Sequence, residues 1–106
     1  MWIENKQNGI VGPARIGWVK VSDRGRRLEY QDQIFRTLQG RGFKANYRDV
    51  ATGQEYWISG CRQDGMDALY STCVEIDEDA LDEYWVNIRR LPQNKRITAF
   101  TAPGKS

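Results

Sequence analysis

At 106 residues, 40% hydrophobic and 28% charged, the chain has enough apolar material to fold around one core and no length for a second, so one folded domain is expected and a disordered chain is not. Its net charge of +2 hides a division: residues 1–50 carry ten Lys and Arg against five Asp and Glu, residues 51–92 three against nine, and residues 93–106 three positives alone. No apolar run approaches the roughly eighteen residues of a bilayer span, and Met1-Trp2-Ile3-Glu4-Asn5 lacks a signal-peptide layout, so a cytoplasmic protein without membrane contact is expected.

Residues 1–13 read as a lead-in segment, because Asn8-Gly9 and Gly12-Pro13 are turn signals; Trp2 and Ile3 are apolar enough to dock as an edge strand. A single β-rich domain is expected over residues 14–92. The β-branched and aromatic stretch from Ala14 to Val21 predicts a first strand, with Ile16 and Trp18 on one side and Val19 and Val21 on the other. Ser22-Asp23-Arg24-Gly25 supplies a hairpin turn before Leu28 and Tyr30, and Gln31-Asp32 a second before Ile34 to Leu38. Gly40 and Gly42 break that run. Phe43, Ala45 and Tyr47 then alternate with Lys44, Asn46 and Arg48, predicting a half-buried strand with its apolar face inward. Ala51-Thr52-Gly53-Gln54 turns the chain back through Glu55 to Ser59, Gly60 ends or bulges that strand, and Cys73 to Ile76 reads as a last strand.

A helix over residues 77–91 follows. Asp77 suits its N-cap, Glu78 and Asp79 its first turn, and Arg89 and Arg90 its last, while Leu81, Tyr84, Trp85 and Ile88 form one apolar stripe. Pro92 stops it. Residues 93–106 read as a tail in which Ile97 to Phe100 can add an edge strand. The predicted fold is α+β and mainly β, an antiparallel meander or small open SH3-like barrel with one C-terminal helix.

The chain contains no histidine, which removes the commonest general base and metal ligand. Cys61 and Cys73 lack the spacing of a zinc or redox motif and read as free thiols, or as a pair facing each other on adjacent strands. Gly40-Arg41-Gly42 is too short for a phosphate-binding loop. The carboxylates Glu75, Asp77, Glu78, Asp79, Asp82 and Glu83 fit helix capping and a solvated face better than a metal site. No cofactor and no metal are expected, and no catalytic residue is assigned. The candidate binding surface is instead basic: Arg24, Arg26 and Arg27 crowd one hairpin turn, Arg41 follows, and Lys44 and Arg48 share an outward face, with Tyr47 and Trp57 as the aromatics available for stacking. Such an edge also serves simply to keep strands from aggregating.

The stretch from Asn46 to Arg62, with Val74-Glu75-Ile76-Asp77 leading into Asp82-Glu83-Tyr84-Trp85, resembles a group of small bacterial proteins that often carry the transferred name 1-deoxy-D-xylulose-5-phosphate synthase. The resemblance covers roughly residues 14–92 and implies no site residues. The name does not describe an activity here, since such an enzyme needs thiamine diphosphate and a divalent metal held between large domains, for which this chain has neither length nor motif. The sequence points to a small non-catalytic protein-interaction module able to self-associate; the alternative is a nucleic-acid-binding small β-barrel using the basic hairpin surface.

Overall fold

The computed structural model describes residues 1–7, 9, 12–40 and 44–105. Its strands are β1 (Trp2–Asn5), β2 (Ala14–Ile16), β3 (Lys20–Ser22), β4 (Arg27–Tyr30), β5 (Gln33–Thr37), β6 (Tyr47–Asp49), β7 (Glu55–Ser59), β8 (Thr72–Ile76) and β9 (Ala99–Ala102). They form one sheet in the order β3-β4-β5-β6-β7-β1-β2-β8-β9, antiparallel throughout except for the parallel pair β2–β8. The sheet curls into a half-barrel: Arg15 on β2 bonds to Tyr30 on β4, although β5, β6, β7 and β1 lie between them in the sheet.

Two cores result, one on each face. Register places Ile3 opposite Ile58 and Leu28 opposite Phe35, and these four with Tyr30 fill the concave side. The neighbouring positions Trp2, Ile16, Val74 and Ile76 point to the convex side and meet Ala80, Tyr84 and Trp85 from the helix. The open remainder of the convex face, over β4–β7, carries Arg27, Arg36, Arg48 and Trp57.

Three expectations are corrected by this arrangement. The first residues do not add an edge strand, because β1 lies between β7 and β2. Trp2 and Ile3 go to opposite cores, so the strand is buried on both faces and shows no polar alternation. The expected strand from Ala14 to Val21 is two strands, since the chain breaks at Gly17 and carries β3 to the far edge of the sheet. The alternation over residues 43–48 becomes the shorter β6; Ala45 is buried, and Phe43 lies outside the described residues.

The apolar stripe does pack on the sheet, but its backbone is not one regular α-helix. A 3-10 turn, Glu78–Ala80, leads through Leu81 and Asp82 into a π-wound segment, Glu83–Ile88. The Asp77 side chain makes no cap bond; only its carbonyl serves, accepting from Ala80 N at 2.9 Å. The wider winding ends with Arg89 N donating to Tyr84 O at 2.8 Å. Gly65 makes room beside this end, since its φ is +74° and a Cβ there would lie 2.5 Å from the Arg89 guanidinium. The tail supplies β9, which pairs with β8 at one edge, Val74 opposite Phe100. The cysteines are not neighbours: Cys73 is on β8, flanked by β2 and β9, while Cys61 follows β7 and packs against the helix-side core. Burial pushes the Cys61 thiol up to about 11, so it stays protonated at neutral pH.

Candidate binding site

The curl of the sheet brings β2 and the end of β8 against β4, and three side chains close the gap. Arg15 donates from Nη2 to Asp77 Oδ1 at 2.7 Å, from Nη1 to Glu75 Oε2 at 3.0 Å and from Nε to the Tyr30 hydroxyl at 3.0 Å. The Tyr30 hydroxyl donates to Asp77 Oδ2 at 2.6 Å and accepts from Gln31 Nε2 at 3.2 Å. Asp77 is therefore a tertiary anchor where sequence suggested a helix cap. Bonding to Asp77 and Tyr30 holds the Arg15 guanidinium charged at any accessible pH. Burial, then the bond to Asp77, pushes the Tyr30 phenol up to about 12.

This network floors a cleft of about 710 Å³ that opens between Trp18 and the start of the helix. Glu75, Glu78 and Asp79 are exposed around it, and Arg15 is its one cationic lining residue among the described residues. Trp18 is 57% exposed, and its orientation is fixed by donation from Nε1 to Asp79 O at 2.8 Å. An exposed indole beside several carboxylates suits a cation: the carboxylates supply charge and the ring face a quadrupole.

Gly17 makes the network possible. A Cβ there would lie 2.3 Å from Asp77 Oδ2 and 2.6 Å from Tyr30 Cε1, so Gly17→Ala should destabilise the fold by about 1–3 kcal/mol through overpacking. Urea melts check this, and parental stability would show that β2 and β4 do not meet so closely.

The phenol gives a pH signature. A tyrosine at 10.0 unfolded and about 12 folded contributes stability that is complete below about pH 10. It is lost as pH rises toward 12, because the unfolded chain releases that proton first. Alkaline melts should show a stability decline across this window that is shallower in Tyr30→Phe; identical slopes would contradict the partly buried Tyr30–Asp77 bond.

The basic residues expected from sequence lie elsewhere. Arg24 and Arg26 are exposed at the turn between β3 and β4, Arg27 is half-buried at the start of β4, and Arg48 is exposed on β6. Tyr47 is no stacking platform: it turns inward, its hydroxyl donates to Gly25 O, and its ring packs on the concave core. Trp57 is exposed on the convex face, and Lys44 is half-buried near it. Arg41 lies outside the described residues. Sequence reasoning missed Arg15, Trp18 and Tyr30 as a group; the one local signal was a glycine inside a strand pattern, Ile16-Gly17-Trp18, which marks close approach of another element.

Among the described residues no cluster of His, Cys, Asp and Glu could hold a metal ion, and no helix is long and apolar enough to cross a membrane. No family model, curated protein or solved structure matches the chain.

Proposed function

We propose that the chain is a non-catalytic protein-interaction module whose cleft receives a basic segment of a protein partner. One observation carries this reading. The cation of the cleft among the described residues, Arg15, is engaged by Glu75, Asp77 and Tyr30, which leaves the carboxylates of Glu78 and Asp79 beside an exposed Trp18. A lysine or arginine side chain laid over the indole satisfies both charge and ring.

A second copy could offer its own arginine-bearing face. Such a head-to-tail contact propagates into open assemblies unless its rotation closes, so a separate partner is the preferred occupant. A cytoplasmic location belongs to the same proposal, as two free thiols suit a reducing compartment. The resemblance over residues 14–92 contributes nothing to it.

Calorimetric titration with a lysine- and arginine-rich peptide tests the reading. Binding should weaken with salt and be lost in the double variant Glu78→Lys and Asp79→Lys, which should still fold because both side chains are exposed. Equal binding by parent and variant, or none by the parent at low salt, would refute it. Sedimentation at rising concentration separates self-association from partner binding.

A further inference from the structure

The convex face of β4–β7 is a second surface, independent of the cleft. Register sets Arg27 opposite Arg36 and Arg36 opposite Arg48, so three guanidinium-bearing positions stand in one row across adjacent strands, about 4.8 Å apart. Like charges directly opposite destabilise a sheet. Carboxylates offset part of this: Arg27 pairs with Glu29 at 2.7 Å, and Asp23 takes Arg26 at 3.0 Å and Arg36 at 3.3 Å. Arg48 is exposed with no ion-pair partner among the described residues. Lys20 and Arg24, also exposed, extend the positive charge toward the β3 edge.

An aromatic platform adjoins the row. Arg48 is opposite Glu55, and Trp57, two residues further along β7, projects to the same face and is 38% exposed. Trp57 and Leu69 line a cavity of about 350 Å³ that Lys44 and Lys105 also border. Asp67, 8% exposed, lines it too and accepts from Arg62 N at 2.9 Å through Oδ1.

We propose that this face binds single-stranded nucleic acid, with phosphates on the Arg36–Arg48 end of the row and one unstacked base against Trp57. Guanidinium groups match phosphate oxygens in pairs, and an indole accepts any unstacked base. A duplex keeps its bases stacked and leaves Trp57 unused. An acidic protein segment would meet the arginines but give the indole no planar partner.

Fluorescence anisotropy of a labelled single-stranded oligonucleotide of about 12 nucleotides provides the test, read at about 50 and 200 mM salt. With two phosphates engaged, the affinity of the intact chain should fall about sevenfold between the two salts. Arg48→Ala should weaken binding and flatten that dependence, and Trp57→Leu should weaken it at least about fivefold. Arg48 is exposed, so its variant should melt with the parent; Trp57→Leu should remain folded, and Glu78→Lys with Asp79→Lys should not weaken binding. Absence of binding at the lower salt overturns the proposal. So does binding that is lost in Arg48→Ala, unchanged in Trp57→Leu and displaced equally by polyglutamate, which would assign the face to an acidic protein.

Discussion

Trp85→Ala should destabilise the chain by about 3–5 kcal/mol, a large share of the 5–15 kcal/mol typical of a domain. The indole is 3% exposed, and its Nε1 donates to Ile97 O at 2.9 Å, tying the helix to the segment that enters β9. Its ring centre lies 4.9 Å from that of Tyr84 and 5.3 Å from that of Phe100, with the Arg89 guanidinium 5.5 Å away. Truncation opens a cavity against both rings and leaves the Ile97 carbonyl without its donor. Asp82, exposed on the solvent side of the same helix, is the control, and Asp82→Ala should cost less than about 0.5 kcal/mol. Paired thermal melts check both. A Trp85→Ala variant that melts with the parent would show that the stripe is not a core element.

Glu4→Ala should cost a similar amount, about 3–5 kcal/mol, for a different reason. The Glu4 carboxylate is 1% exposed and accepts from Lys6 Nζ at 2.8 Å, Trp2 Nε1 at 3.1 Å and Gly12 N at 3.1 Å. Alanine takes this carboxylate from a buried ammonium, an indole and a backbone amide together. Glu4→Gln keeps an acceptor and the volume, so its loss should be smaller. Denaturant titration of the two variants gives the comparison, and a loss below about 1 kcal/mol for Glu4→Ala would mean that the Glu4–Lys6 pair does not anchor β1.

The helix stripe was legible because Leu81, Tyr84, Trp85 and Ile88 repeat with helical periodicity, a local property. The role of Asp77 was not: an aspartate before a helix is ordinarily a cap, and its actual partner, Arg15, lies 62 residues away in the chain. Burial on both faces concealed β1, since Trp2-Ile3-Glu4 has neither alternation nor helical spacing. The basic surface was half legible. Lys44 and Arg48 could be set on one face by parity, whereas the Arg27–Arg36–Arg48 row depends on the register of three strands, which no local pattern specifies. The tail showed enough β-branched and aromatic character at Ile97 to Phe100 to suggest a strand, and β9 begins within it at Ala99. The cleft needed the curl of the whole sheet before Arg15, Tyr30 and Asp77 could meet.

Chemical-shift mapping of the isotopically labelled chain with the lysine- and arginine-rich peptide tests the proposed module most directly. The expected result is a compact set of perturbed amides at Trp18, Gln31, Glu75 to Asp79 and Thr98, with a large shift of the Trp18 indole N–H and little change over β4–β7. Perturbation scattered over the surface, or confined to residues outside the cleft, would contradict the account.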